Sequence, residues 1–288
     1  MMTQKNPKKS AFHPQFLRAL LYAAPLIALL GWLFEPSFAW MADRWMARDS
    51  YFAHGFMIPL VSLFWIWQKR DVLLKEELRP SLWGIPFLAA AALIQVTACV
   101  LRVYFMSSFA FVILLTGLIL SLAGTRIFRQ VWFPVFFLLL MIPLPLLAIS
   151  EMTLKMKFFV TQLAVDCLNF VGMPAQRNGS YLVTPNAFLL VGDPCSGLRS
   201  FLAFLCLGFV FAYGGKTPWW GKLVLVFSGL PLAIFSNLLR VFSLSIIAEI
   251  YGQEAAHGAV HDASGIVVFV IAFAMFLGLR HCLEGKAA

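Results

Sequence analysis

The chain has 288 residues, 61% of them hydrophobic and 12% charged, with a formal net charge of +9. A soluble domain holds about 25% charged residues, so a mean hydropathy of +0.85 excludes an ordinary globular domain and leaves a polytopic membrane protein. The positive balance is not a nucleic-acid signal, because most Lys and Arg fall in short loops between apolar runs, where the positive-inside rule puts them.

A spanning helix takes about 20 mostly apolar residues. Residues 1–17 read as a cytoplasmic tail. Lys5, Lys8, Lys9 and Arg18 precede the apolar run Ala19–Phe34, and Ser37-Phe38-Ala39 resembles a signal-peptide cleavage site. The length of the run and the parity of the later helices favour a retained helix, Arg18–Trp40. A short candidate follows at His54–Gln68, whose Trp65 and Trp67 suit a membrane interface. Leu82–Leu101, Phe105–Ala123 and Ile127–Ile149 come next.

Residues 151–194 read as an extracytoplasmic or interfacial segment. Its first part, Met152–Val171, mixes Lys155, Lys157 and Asp166 with apolar residues, the pattern of a helix lying in the interface. Asn178-Gly179 is a turn signal. Ser180–Thr184 and Ala187–Val191 are β-favouring runs around Pro185-Asn186, so a small hairpin is expected. Cys195–Tyr213, Lys222–Tyr251 and His261–Leu283 complete the set. The expectation is a single all-α domain, 1–288, built as a bundle of about eight transmembrane helices, with a short hairpin before Cys195.

Loop charges orient the bundle. With the N-terminus inside, the inner loops hold Lys69, Arg70, Lys75 and Arg79, then Arg126 and Arg129, then Lys216 and Lys222; the C-terminal end holds Arg280 and Lys286. Both termini are then cytoplasmic. A reporter active only in the periplasm should give signal when fused after Asn178 and none after Arg126; the reverse pattern would overturn the orientation.

Three reactive residues stand out: Cys195 in Gly-Asp-Pro-Cys-Ser-Gly-Leu-Arg-Ser, Arg240 in Ser-Asn-Leu-Leu-Arg-Val-Phe, and His261 in His-Gly-Ala-Val-His-Asp-Ala-Ser-Gly. Measured by helix rise from the inner charges Lys216, Lys222 and Arg280, they lie about 32, 27 and 28 Å away. The hydrocarbon core is about 30 Å thick, so all three reach its outer edge.

Asp193-Pro194 has the form of an N-cap and first helical residue, which would put Cys195 in a first turn. There the helix dipole lowers a thiol pKa, Arg199 adds charge from four residues on, and free N–H groups offer an oxyanion hole. Ser196 and Gly197 allow close approach of another backbone. A charge inside a spanning segment marks function by default, and Asn237, one turn before Arg240, would hold the guanidinium or line the same cavity. His261 suits a general base. His257 and His261 stand four apart, a spacing that also occurs in metal sites, but no HExxH pattern accompanies it. His54, in Tyr51-Phe52-Ala53-His54-Gly55-Phe56, lies on the same side of the membrane. The other cysteines, Cys99, Cys167, Cys206 and Cys282, show no paired spacing. No metal and no cofactor is expected.

The Cys-Ser-Gly-Leu-Arg, Asn-Leu-Leu-Arg and His-Asp-Ala-Ser-Gly blocks, in that order, resemble the exosortase/archaeosortase family. The Tyr-Phe-Ala-His-Gly-Phe stretch and the later Trp-Gln-Lys-Arg resemble its N-terminal region. The likeness runs from about Tyr51 to Leu283. It implies a nucleophile at Cys195, an arginine at Arg240 and a histidine at His261, the last placing the chain on the bacterial side. It further implies a cysteine transpeptidase of the inner membrane with its site facing the periplasm. The partners would be secreted proteins carrying a C-terminal sorting helix of the PEP-CTERM kind, and a lipid or glycan acceptor, in association with exopolysaccharide production. A protease using water as acceptor, a polysaccharide transporter or flippase using Arg240, and a metal protein using Cys195, His257 and His261 are the competing readings.

Overall fold

The computed structural model describes residues 25–48, 50–256 and 258–285. The tail 1–17, the start of the first helix at Arg18, and His257 lie outside the described residues. The helices are α1 Pro25–Leu33, α2 Glu35–Met46, α3 Met57–Gln68, α4 Arg70–Leu73, α5 Gly84–Leu101, α6 Tyr104–Leu122, α7 Thr125–Phe137 and α8 Leu146–Phe170. Three short strands follow, β1 Gln176–Asn178, β2 Tyr181–Val183 and β3 Phe188–Leu190, then α9 Leu198–Gly214, α10 Trp219–Phe227, α11 Gly229–Tyr251 and α12 Ala259–Gly285. The protein is a polytopic helical bundle, as its composition requires.

The expected runs Leu82–Leu101, Phe105–Ala123 and His261–Leu283 reappear as α5, α6 and α12 within a few residues. Others are cut where backbone chemistry forbids a continuous helix. The first candidate bends by 66° between α1 and α2, with Pro36 in the opening turn of α2. The run Ile127–Ile149 is not one helix: it ends in a 3-10 turn at Leu138–Met141 and bends by 80° into α8. Pro143 and Pro145 lie at the break, each lacking the N–H that a helix interior needs. Lys222–Tyr251 is interrupted only at Ser228, between α10 and α11, and remains one span, Trp219–Tyr251.

The number of spans needs a similar correction. Among the described residues four helices are long and apolar enough to cross a membrane, or six if each bent pair is one span. The expected eight is reached only by adding the two shorter apolar helices, Met57–Gln68 and Leu198–Gly214.

The segment Met152–Val171 is also more than an interfacial helix. It belongs to the 25-residue α8, which buries Thr153, Val160, Thr161, Ala164, Val165 and Leu168. These repeat every three to four residues, the period of one helix face. That face meets Val191, Cys195 and Val241 in a shared apolar cluster. A second core gathers Trp65, Phe133 and Phe137 from α3 and α7, with the Phe133 and Tyr213 rings stacked at 4.1 Å. The expected hairpin is present and gains a third strand: β1, β2 and β3 form an antiparallel sheet in that order.

Candidate active site

The sheet delivers the chain to Cys195 in a fixed direction. Between β1 and β2 the turn is Gly179-Ser180, with Gly179 at φ +63°. Glycine at the first central position is what a two-residue II′ hairpin demands. At the other turn, Asn186 donates from its backbone N–H to Glu249 Oε2 at 3.1 Å and from Nδ2 to Oε1 at 2.8 Å. This pins the β2–β3 tip to the last turn of α11.

After β3 the chain forms a single 3-10 turn, Asp193–Cys195. Lys157 Nζ, on the buried stripe of α8, pairs with Asp193 Oδ1. Gly197 then takes φ +80° and α9 begins at Leu198. A side chain there would be strained and would meet Asn237 Cβ at 3.1 Å, so the reversal requires glycine. Asp193 therefore does not cap α9, and Cys195 lies outside its first turn. The backbone N–H groups of Cys195 and Ser196 donate to Gly192 O at 3.0 Å and Asp193 O at 3.1 Å. They close the 3-10 turn and do not form the expected oxyanion hole.

The three residues singled out from the sequence meet. Cys195 Sγ lies 3.0 Å from His261 Nε2. Arg240 Nη2 is 3.2 Å from His261 Nδ1 and 3.3 Å from Nε2. An atom equidistant from both ring nitrogens cannot lie in the ring plane, where it would collide with Cε1. The guanidinium thus stands over the imidazole face, leaving the Nε2 edge to the thiol. Arg240 also donates to His261 O at 3.0 Å and to Ser264 Oγ at 3.3 Å, fastening α11 to the opening turns of α12. Asp262 Oδ1 is 3.5 Å from Nδ1, at the limit of hydrogen-bond reach.

Burial decides the state of the thiol. Cys195 is 4% exposed and precedes α9. Burial pushes its pKa up; the Arg240 and then the Lys157 charges pull it back without reversing the shift. The expected lowering by a helix dipole is absent because no helix starts there. The buried thiol lies directly against the His261 imidazole.

A family model, transmembrane exosortase (Exosortase_EpsH), matches residues 40–278. The chain belongs to this exosortase family. No curated protein and no solved structure matches the chain. The matched span includes Cys195, Arg240 and His261 and also the Tyr51–Pro59 stretch.

The supporting residues of this exosortase fall differently from expectation. Asn237 does not hold the Arg240 guanidinium; its Nδ2 donates to the Cys195 carbonyl, so it fixes the backbone at Cys195. Ser196 is 1% exposed and its Oγ accepts from Leu198 N–H at 3.3 Å. Arg199 is turned to Tyr51, with its guanidinium 6.0 Å from the ring centroid, and the cations acting on the thiol are Arg240 and Lys157. His54 packs beside the Phe52 ring at 6.0 Å, where burial lowers its pKa. His257, the third ligand of the metal reading, lies outside the described residues.

Sequence reasoning missed three contributors. Lys157 was legible in principle: it continues the buried α8 stripe through Thr153 and Thr161, where a lysine needs a partner. Ser264 follows His261 by three residues and so shares its helix face. Glu249 carried no signal, since its partner Asn186 is 63 residues away.

Proposed function

We propose that this protein is a membrane cysteine transpeptidase of the bacterial inner membrane. It cleaves the C-terminal sorting signal of exported proteins on the periplasmic side and passes the new C-terminus to an acceptor. The substrate class is a protein ending in a short PEP-CTERM-type motif, a spanning helix and a basic cluster. The acceptor is a lipid or glycan hydroxyl or amine, which fits a role beside exopolysaccharide production.

The observation that carries this reading is the contact of 3.0 Å between Cys195 Sγ and His261 Nε2, with Arg240 held over the same imidazole. Attack on the scissile carbonyl forms the S–C bond as the thiol proton passes to His261. Arg240, always charged, stabilises the oxyanion. The C–N bond breaks, His261 returns the proton to the leaving amine, and a thioester remains. The acceptor then gives its proton to His261 and attacks the thioester. The S–C bond breaks and the thiol is restored.

The decisive test is capture of the thioester. A sorting-signal protein incubated with the enzyme in vesicles, without acceptor, should leave its N-terminal part bonded to Cys195, and hydroxylamine should release it as the hydroxamate. Processing with no adduct on Cys195 would reject the reading.

A further inference from the structure

This inference rests on the transpeptidase reading and concerns how substrate reaches the thiol. β3 is the last strand of the sheet, and only β2 pairs with it. Leu182 faces Leu189 across the ladder, Val183 faces Phe188 and Tyr181 faces Leu190. Thr184 N–H donates to Ala187 O, and Val191 N–H donates to Ser180 O. Residues 187, 189 and 191 therefore bond toward β2. In an antiparallel pair the direction alternates along the strand, so Phe188 and Leu190 turn their N–H and C=O groups to the outer edge. No hydrogen bond meets those groups among the described residues.

An open edge is a template for another strand, and proteins ordinarily blunt it with charge, proline or a bulge. Phe188-Leu189-Leu190 has none of these. The Phe188 and Leu190 side chains are 44% and 50% exposed, while Leu189 is buried. This edge also opens into the catalytic cleft. A cavity of about 260 Å³ is lined by Leu190, Val191, Cys195, Leu244, His261 and Asp262, so one continuous surface runs from the strand edge to the thiol.

We propose that β3 accepts an extended segment of the substrate as a fourth strand, backbone to backbone, and so sets the register in which the scissile carbonyl meets Cys195. A second copy of this chain could pair with the same edge, but it would plug the cleft that holds the nucleophile. Continuity with the thiol therefore selects the peptide being cut. Recognition through backbone groups tolerates many side chains. It leaves sequence preference to the alternate substrate residues that point into the cleft.

The test uses the full-length enzyme in lipid vesicles and a synthetic peptide comprising a sorting motif and its membrane helix. Single N-methyl groups are placed in turn on the residues flanking the scissile bond. Strand pairing predicts alternation: cleavage falls about three- to tenfold, the size of one net hydrogen bond, at every second position and little between. In the enzyme, Leu190→Pro removes an outward N–H and should cost a similar factor in kcat/KM. Even N-methyl sensitivity, with the unmodified peptide still acylating Cys195, would overturn the strand pairing alone. No adduct on Cys195 from any peptide would overturn the transpeptidase reading and this inference with it. A disulfide between two copies through Phe188→Cys that leaves cleavage at the wild-type rate would assign the edge to a dimer and also overturn it.

Discussion

Cys195→Ala should abolish processing of a sorting-signal protein, a loss of about 10⁴- to 10⁶-fold, the scale seen when a nucleophile is removed. The protein should still insert and fold, because the change removes one sulfur from a cluster otherwise made by Val160, Leu168, Val191 and Val241. Single replacement of Cys99, Cys167, Cys206 or Cys282 should leave activity largely intact. Alkylation supplies a second readout. A raised thiol pKa leaves less thiolate at neutral pH, so Cys195 should react more slowly with iodoacetamide at pH 7 than an exposed thiol, and faster as the pH rises. Processing itself should not wait for alkaline pH, since His261 removes the proton during attack. Wild-type processing by Cys195→Ala would end the thioester mechanism. Rapid alkylation at pH 7 would contradict the raised thiol pKa.

Arg240→Lys should fail nearly as badly as Arg240→Ala, by about 10²- to 10³-fold, the cost of losing an oxyanion donor. The guanidinium reaches His261 O through Nη2 and Ser264 Oγ through Nε while covering the imidazole. A single ammonium on a flexible stem cannot keep those positions together. His261→Ala should slow both acylation and transfer, by about 10²- to 10⁴-fold, yet leave substrate docking intact. A photocrosslink between enzyme and substrate helix should therefore form in His261→Ala while cleavage stops. Processing at the wild-type rate across pH 6 to 8 in that variant would remove His261 from the mechanism. Full activity in Arg240→Lys would show that charge alone suffices and that the fork has no role.

The site was largely legible because depth is a one-dimensional quantity. Counting helix rise from the inner lysines and arginines was enough to put Cys195, Arg240 and His261 at one level, and the structure brings them into contact. Rotation about each helix is not given by depth, and there the reading failed. Asn237 turns to the Cys195 carbonyl instead of to Arg240. Arg199 turns to Tyr51, because the four residues from Cys195 are not helical throughout and the expected shared face does not exist. Gly197 permits close approach, and its positive φ also ends the 3-10 turn, which no composition rule announces. In the fold, apolar length located α5, α6 and α12 well. Hydropathy is blind to bends, however, so the breaks at Phe34 and at Pro143–Pro145 were read through as continuous spans.

His261 follows Cys195 by 66 residues, and this has a consequence for biogenesis. At about 5–20 residues per second, the ribosome makes Cys195 some 3 to 13 seconds before His261. During that interval α9 and α11 can be in the membrane while α12 is still being made. The Arg240 fork then lacks its acceptors on the opening turns of α12. The thiol is present, but no imidazole is there to take its proton. On the transpeptidase reading, activity arrives with α12, and a nascent chain stalled before Ala259 should be silent.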